Sequence, residues 1–295
     1  MKYFLVVLSI FSLALTLSAE PMPGTIITAE ELKKYIDSKK TKIIDVRNIY
    51  EYISGHIPGA VHINNKEFED PDNPVGGMIA PAKQIEALMS ANGIITDDLV
   101  VIYAADQKPQ MATRLLWVLK VYRHQKVQIL NGHYKAWIIM DYPVERGTGT
   151  RPAPSIYKTG IIDSSCIATK KDCLFPSENT VLLDVRTQNE YTGEKVSKSA
   201  ARGGHIPGAV NIYYLNAVDD RGYFKDVPTL ISMYAAAGVT PDKNVIVYCM
   251  RAHRASHTYF VLTSLLGFSN VRVYDGSWIE WSNLPELPVS IGQSG

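Results

Sequence analysis

Short apolar runs alternate with amphipathic segments along most of the chain. Several of the runs are apolar and β-branched throughout, as expected of strands whose sheet is covered on both faces. Apolar positions recur at helical spacing between them, for example over residues 29–38 and 229–237. Strands that alternate with helices form parallel sheets. The pattern therefore predicts an α/β fold of parallel sheets flanked by helices, with strands at residues 42–46, 100–103, 181–185 and 244–248.

The first half of the chain is repeated in the second half. The sequence IIDVR at residues 43–47 returns as LLDVR at residues 182–186. GHIPGAV at residues 55–61 returns unchanged at residues 204–210, after a ten-residue insertion that lies within residues 193–203. Such long self-similarity is typical of duplicated structural units. We therefore expect two related domains, each with its own parallel sheet.

A stretch rich in glycine and proline separates the two copies. Residues 147–155 read GTGTRPAPS, a composition that favours an extended connection over a helix or strand. We predict a first domain at residues 25–146, a linker at residues 147–156 and a second domain at residues 157–290.

The N-terminus has the features of a targeting segment. Lys2 precedes an apolar run over residues 3–17, and small residues follow at Ser18 and Ala19. The run is shorter than the ~20 apolar residues that a membrane-spanning helix requires. We predict a signal peptide at residues 1–19 and export to a bacterial periplasm, with no stable membrane span after its removal. An uncleaved N-terminal membrane anchor is the alternative interpretation.

Composition narrows the possible partners. The 295 residues are 46% hydrophobic and 20% charged, as in globular proteins, and the formal net charge is only +1. There is no overall basic field for nucleic acid, so small anions have to be bound locally. Histidines and cysteines lack the clustered spacing of metal ligands, and we predict neither a metal site nor a cofactor.

Three cysteines are too few for a disulfide framework in a chain of this length. If the protein is exported, the spacing of Cys166 and Cys173 makes these two the plausible pair. Cys249 is then the remaining free thiol.

Cys249 directly follows the predicted strand at residues 244–248 and opens the sequence CMRAHR, after which a helix begins near Arg254. Free backbone N–H groups, the helix dipole and the arginines Arg251 and Arg254 favour a thiolate at this position. Guanidinium groups also suit anions with several oxygens. The alternative is an inert cysteine that ends a buried strand.

Two segments resemble the signatures of the rhodanese family. Residues 52–63, which contain HIPGA, are similar to the N-terminal signature, and VRVYDGSWIEW at residues 271–281 is similar to the C-terminal one. The resemblance implies tandem rhodanese-like domains of which the second is catalytic, with a persulfide formed on Cys249. In the first copy Ala104 takes the cysteine position, so we expect that domain to be inactive and to close one side of the cleft.

The resemblance also suggests roles around Cys249. Arg254, at the sixth position of the loop, and Arg251 are candidates for binding the sulfonate of a thiosulfate donor. Arg186 is placed at the donor-binding side of the cleft, and His253 either tunes acidity or faces solvent. The expected activity is transfer of sulfane sulfur from thiosulfate to cyanide or a thiol, with a protein as a possible acceptor.

Other functions remain open at this point. The donor could be 3-mercaptopyruvate or polysulfide, although Thr192 stands where mercaptopyruvate enzymes typically have a second arginine. A phosphatase of related fold needs five residues between cysteine and arginine, whereas four separate Cys249 from Arg254. A noncatalytic sulfur-binding or interaction module is the third class, and the intact Cys249 disfavours it.

Overall fold

The structure is a computed structural model that describes residues 24–38, 40–105 and 108–293. The signal peptide predicted at residues 1–19 lies outside the described residues and stays a prediction. Within the described ranges, every helix is too short or too polar to cross a membrane.

The first domain is a five-stranded parallel sheet with helices on both faces. Its strands are ordered β1-β5-β4-β2-β3, so that the central strand β4 lies between β5 and β2. The strands are β1 (Ile26–Ile27), β2 (Thr41–Asp45), β3 (Val61–His62), β4 (Leu99–Tyr103) and β5 (Val127–Leu130). The helices are α1 (Ala29–Tyr35), α2 (Ile49–Ser54), α3 (Ala82–Ala91), α4 (Gln110–Val121) and α5 (His133–Ile139).

The second domain repeats this topology with the strand order β6-β10-β9-β7-β8, again all parallel. The strands are β6 (Ile167–Ala168), β7 (Thr180–Asp184), β8 (Val210–Asn211), β9 (Asn244–Tyr248) and β10 (Val271–Tyr274). The helices are α6 (Lys170–Leu174), α7 (Gln188–Thr192), α8 (Val227–Ala235), α9 (His253–Phe260) and α10 (Ser277–Ser282). The predicted fold class is thus confirmed, and each predicted strand lies within one residue of an observed one.

The two domains share one hydrophobic core. The largest apolar cluster contains residues of both sheets, and α4 of the first domain packs against α9 of the second. Each of these helices follows the central strand of its sheet, β4 or β9. Because the carboxyl ends of parallel strands meet at one edge, this packing brings the two strand-to-helix loops together between the domains.

A buried ion pair also joins the domains. Arg114 on α4 lies 2.7 Å from the carboxylate of Asp275, which follows β10, and donates a hydrogen bond of 2.8 Å to the carbonyl of Gly77. Asp275 accepts a further hydrogen bond of 2.9 Å from the backbone N–H of Ile79. The segment around Gly77 is therefore held against the second domain, next to the loop that follows β9.

The chain between the domains runs along the first one. Ser155, Gly160 and Asp163 donate backbone hydrogen bonds of 2.8–3.0 Å to carbonyls of that domain, at Ser90, Tyr122 and Val121. The linker was predicted at residues 147–156, and the chain continues without helix or strand to residue 163.

The predicted pairing of Cys166 with Cys173 is wrong in this structure, since both are buried free thiols. Cys166 belongs to the core between the domains, whereas Cys173 belongs to the core on the opposite face of the second sheet. The Cys166 thiol donates to the carbonyl of Asp163 over 3.0 Å, and burial raises its pKa to about 11. The two thiols are close in sequence, but they lie in cores on opposite faces of the second sheet.

Candidate active site

Cys249 is the first residue after β9, and its side chain is only 1% exposed. Its backbone is held on both sides by the start of α10. The N–H of Cys249 donates to the hydroxyl of Ser277 over 3.3 Å, and its carbonyl accepts a 2.9 Å hydrogen bond from the N–H of Trp278. The cysteine is therefore fixed at the carboxyl edge of the sheet by a helix that follows the neighbouring strand.

Ser277 is a residue of the site that the sequence analysis missed. Its buried hydroxyl accepts a second hydrogen bond, of 3.0 Å, from the N–H of Ala252 and donates one of 2.8 Å to the carbonyl of Tyr274. It thus ties both ends of the loop from Cys249 to Ala252 to β10. The sequence could have indicated Ser277, because this residue directly follows Gly276, a glycine that both copies of the repeat contain.

The loop turns back into α9 through Ala252, which has a left-handed backbone conformation with φ of 59°. In the part of the chain that the structure describes, the N–H groups of Met250, Arg251, Arg254 and Ala255 have no hydrogen-bond acceptor. Unpaired N–H groups that converge at a helix N-terminus form an anion-binding surface. The arrangement of loop and helix expected from the sequence is therefore present.

A cavity of about 280 Å³ opens over this loop between the domains. It brings together four of the five residues predicted for the site, and Arg186 is not among its lining residues. Gln110 reaches it from the first domain, and two serines come from the insertion that distinguishes the second copy. The lining residues are Gln110, Ser197, Ser199, Cys249, Met250, Arg251, His253 and Arg254.

Arg186 is buried in the second domain, and its predicted place at the donor-binding side stays a prediction. Its side chain is 1% exposed, donates to both carboxylate oxygens of Asp184 and to the carbonyl of Gly204, and lies 4.6 Å above the ring of Trp278. Arg47 makes the equivalent contacts with Asp45 and Gly55 in the first domain, which has no thiol at the corresponding site. The pair therefore holds the sheet edge in both domains.

Arg254 lines the cavity but is already paired. Its guanidinium forms two hydrogen bonds of 2.7 and 2.9 Å with the carboxylate of Glu190 at the start of α7, and its side chain is 18% exposed. Glu190 also accepts from the N–H and hydroxyl of Thr187, as the glutamate of a capping box. The capping box could be read from the sequence, but its second role as the partner of Arg254 could not.

This pair should make stability depend on pH in the acid range. Burial raises the pKa of Glu190, but hydrogen bonds from Arg254 and Thr187 and the charge of Arg254 outweigh it and lower the pKa to about 2. A lowered pKa in the folded state stabilises the protein fully above the unfolded value near 4.5, and this stabilisation is lost as pH falls towards 2. We expect Glu190→Gln to reduce the free energy of unfolding by about 1–2 kcal/mol at pH 7, and by progressively less below pH ~4.5.

Urea unfolding of both proteins between pH 3 and 7 measures this difference. Glu51→Gln is the matched control, because Glu51 caps α2 in the same way and has no cationic partner among the described side chains. A difference between wild type and Glu190→Gln that stayed constant across this range would contradict the assignment.

His253 links the loop to the first domain. Its Nε2 lies 2.9 Å from a carboxylate oxygen of Glu69, which also accepts a hydrogen bond from the amide of Asn65. Burial lowers the pKa of His253, with the charge of Arg114 adding to the effect and Glu69 opposing it. His253 therefore contacts the other domain and does not simply face solvent.

Arg251 is the exposed cation of the loop, and no carboxylate pairs with it among the residues described. Its side chain packs on Gly77 of the first domain, where an added Cβ would lie 2.9 Å from the Cβ of Arg251. Gly77 also has φ of 95°, a conformation that favours glycine. The charge of Arg251 is therefore available to a ligand, whereas that of Arg254 is offset by Glu190.

The first domain repeats this construction without its chemistry. The N–H of Ala104 donates to His133 Nδ1 over 3.3 Å, and its carbonyl accepts from the N–H of Tyr134, as Cys249 does with Ser277 and Trp278. Proline, as Pro109, stands where the second domain has Arg254. Without a thiol at residue 104, this domain cannot carry sulfur on the corresponding loop.

Within the described ranges, no group of three or more histidine, cysteine, aspartate or glutamate side chains is placed to hold a metal ion.

Comparison with known proteins agrees with the duplicated fold. The rhodanese-like domain model matches residues 28–139 and again residues 172–284. The chain is 34% identical over 284 residues to the sulfur carrier protein TtuD of Thermus thermophilus, covering 92% of this chain and 98% of the relative. It is 33% identical over 282 residues to a thiosulfate sulfurtransferase of Corynebacterium glutamicum, covering 92% of each.

Among solved structures, the anaerobic ergothioneine biosynthesis enzyme of Chlorobium limicola, in complex with trimethyl histidine, superposes with a TM-score of 0.82 and 25% identity. The match covers 92% of this chain and 71% of that enzyme. Two matched domains, a single loop cysteine in the second and relatives that align along nearly the whole chain lead to one assignment. The protein belongs to the sulfurtransferases of the rhodanese family and contains two rhodanese-like domains in tandem.

Proposed function

We propose that this protein is a thiosulfate sulfurtransferase that carries sulfane sulfur as a persulfide on Cys249. The observation that supports this most is the contrast between the two loops. Only the second has a cysteine, and that cysteine lines a cavity together with Arg251, Arg254 and unpaired backbone N–H groups. The same fold without these groups, at Ala104, is the inactive counterpart.

The first half-reaction is a displacement at sulfur. The Cys249 thiolate attacks the outer sulfur of thiosulfate, the S–S bond of the donor breaks, and its electron pair leaves with sulfite. Cys249 is left as a persulfide, and no external oxidant or reductant is needed. An acceptor, either cyanide or a thiol, then removes the outer sulfur and restores the Cys249 thiolate, which predicts ping-pong kinetics.

The site has to bring a dianionic donor to an anionic nucleophile. Arg251 supplies an uncompensated positive charge, and the N–H groups of the loop supply fixed dipoles that need no rearrangement. Arg254 is oriented by Glu190, which accepts two of its five N–H groups and offsets much of its charge, so the other N–H groups stay available to the donor. Ser197 and Ser199 add hydroxyl groups to the wall of the cavity.

Thiosulfate is favoured over 3-mercaptopyruvate by the side chain at residue 192 and by the two loop arginines. Thr192 is nearly buried, and its hydroxyl donates to the carbonyl of Asn189, so it provides no cation for a carboxylate. The two loop arginines, in contrast, suit the three oxygens of a sulfonate.

A sulfur carrier is the second candidate. The relative from Thermus thermophilus bears that name, and it aligns with nearly the entire chain. A carrier would form the same Cys249 persulfide but release its sulfur only to a protein acceptor. The two candidates therefore share the first half-reaction and differ in the second.

Donor kinetics test the proposal. We expect kcat/KM for thiosulfate to exceed that for 3-mercaptopyruvate and polysulfide by at least about 10-fold, with cyanide as the common acceptor. Mass spectrometry after thiosulfate alone should find one extra sulfur on Cys249 and one equivalent of sulfite in solution. A higher kcat/KM for 3-mercaptopyruvate would refute thiosulfate as the preferred donor. Persulfide that forms but does not turn over with cyanide or small thiols would favour the carrier.

A further inference from the structure

A second cavity lies at the carboxyl edge of the first sheet, next to the loop that has lost its cysteine. Its volume is about 390 Å³, within the range of ~300–1,000 Å³ that small-molecule sites occupy. Its wall is polar and comes almost entirely from the first domain, with His253 as the contribution of the second. The polar lining includes Asn48, Glu51, Asn64, Asn65 and Lys108.

This cavity is the neighbour of the one over Cys249. Gln110 and His253 line both, so these two side chains form the boundary between them. Both side chains are fixed: Gln110 accepts a 3.1 Å hydrogen bond from Tyr214, and His253 contacts Glu69. A molecule bound in the first-domain cavity would therefore lie next to the Cys249 cavity, with Gln110 and His253 between the two.

Glu51 carries a negative charge into this cavity. In the second domain the equivalent glutamate, Glu190, is neutralised by Arg254, whereas the first domain has Pro109 at the arginine position. Glu51 accepts only the N–H of Asn48 among the described groups, through one carboxylate oxygen. The loss of the loop arginine thus leaves a carboxylate that is open to a ligand cation.

Lys108 carries the opposite charge at the same cavity. Its side chain is exposed and has no ion-pair or hydrogen-bond partner among the residues that the structure describes. The other polar side chains of the wall are amides, His253 and Arg47, and the charge of Arg47 is paired with Asp45. A cation and an anion on one small polar cavity suit a ligand that itself carries both charges.

We propose that this first-domain cavity binds the sulfur acceptor, and that the acceptor is a small thiol with an α-ammonium and a carboxylate group. Lys108 binds its carboxylate, Glu51 binds its ammonium, and the thiol extends across the border at Gln110 and His253. The inference rests on the proposed function for its chemistry, because the acceptor collects sulfur from Cys249.

The transfer balances without a further reagent. The acceptor thiol loses its proton to solvent, and its thiolate attacks the outer sulfur of the Cys249 persulfide. The sulfur–sulfur bond at Cys249 breaks, its electron pair returns to Cys249 as the thiolate, and the acceptor leaves as a persulfide. The inactive domain thereby acquires a role as the acceptor-binding half of the enzyme.

Acceptors that lack one charge test the assignment. Cysteamine lacks the carboxylate of L-cysteine, and 3-mercaptopropionate lacks its ammonium. We expect Lys108→Ala to lower the rate ratio of L-cysteine to cysteamine by about 3- to 5-fold relative to wild type, as for a solvent-accessible ion pair. Glu51→Gln should lower the ratio of L-cysteine to 3-mercaptopropionate similarly. Comparing ratios cancels the intrinsic reactivity of each thiol.

Lys83→Ala is the matched control, because Lys83 is an exposed lysine of the first domain outside this cavity, and both ratios should stay at the wild-type value. Ratios that were also unchanged in Lys108→Ala and Glu51→Gln would overturn the proposal.

Binding of the unreactive thioether S-methyl-L-cysteine separates this proposal from the proposed function. Calorimetry on Cys249→Ser should detect binding that Lys108→Ala weakens. Persulfide formation with thiosulfate is measured on the wild-type protein. Binding that depends on Lys108, together with a wild type that forms no persulfide, would retain the site and reject the sulfurtransferase reaction. Persulfide formation by the wild type together with no binding, or with binding that is indifferent to Lys108, would reject the site and retain the reaction.

Discussion

Replacing Cys249 with serine should abolish sulfur transfer, with kcat/KM for thiosulfate falling by at least about 1,000-fold. A hydroxyl is a much weaker nucleophile than a thiolate, and it cannot hold a transferable sulfur. Serine has nearly the shape of cysteine, and the backbone hydrogen bonds of residue 249 to Ser277 and Trp278 do not involve the side chain. The fold should therefore be retained, which circular dichroism and urea unfolding can verify alongside the kinetics.

Cys166→Ala is the control for loss of a buried thiol elsewhere. Cys166 lies in the core between the domains and binds the carbonyl of Asp163, away from the cavity over the loop. We expect this variant to lose some stability and to keep its sulfur transfer. Transfer by Cys249→Ser at a rate near that of wild type would show that Cys249 is not the sulfur carrier.

Replacing Arg254 with alanine should reduce kcat/KM for thiosulfate by roughly 10- to 150-fold, chiefly through a higher KM. A hydrogen bond to a charged group contributes about 1.5–3 kcal/mol, which corresponds to this range. The structure adds a second reason. Without Arg254, the carboxylate of Glu190 stays at the cavity without its partner and repels an anionic donor.

Two further variants separate these effects. Arg254→Lys keeps the charge but loses the planar fork that fits the Glu190 carboxylate, and it should recover only part of the loss. The double variant Arg254→Ala, Glu190→Gln no longer has the unpaired Glu190 carboxylate, and it should be more active than Arg254→Ala alone. Arg221→Ala is the control, because Arg221 is an exposed arginine of the same domain that is paired with Asp219. Thiosulfate kinetics with an unchanged KM in Arg254→Ala would remove Arg254 from the donor site.

The charge distribution in the cavity differs from the one that the sequence suggested. Both arginines of the loop were expected to bind the donor, and His253 was expected either to tune acidity or to face solvent. Glu190 offsets Arg254, and Glu69 contacts His253. Arg251 consequently provides the uncompensated charge, and Arg251→Ala is a useful companion to Arg254→Ala in the same assay.

The sequence alone determined the fold and identified Cys249 as the candidate nucleophile. Strands buried on both faces leave continuous β-branched runs, and the duplicated IIDVR and GHIPGAV motifs indicated two copies of one unit. Cys249 could be found because strand, loop and helix follow one another in the chain, so that the residue after β9 has to lie at a helix N-terminus. Its counterpart Ala104 marked the first domain as lacking the thiol by the same local reasoning.

Only the tertiary structure decided which side chains meet. Glu190 and Arg254 are 64 residues apart and meet because the neighbouring parallel strands β7 and β9 end at the same sheet edge. Glu69 and His253 are 184 residues apart and meet because α4 and α9 pack the two domains together. Arg186 turned inward because Asp184, two residues away on the same buried edge, offers it both carboxylate oxygens. Local sequence patterns reflect the periodicity of a helix or strand. A long polar side chain, in contrast, pairs with the group that best offsets the free-energy cost of burying it. Which group is within reach depends on the packing of the whole molecule.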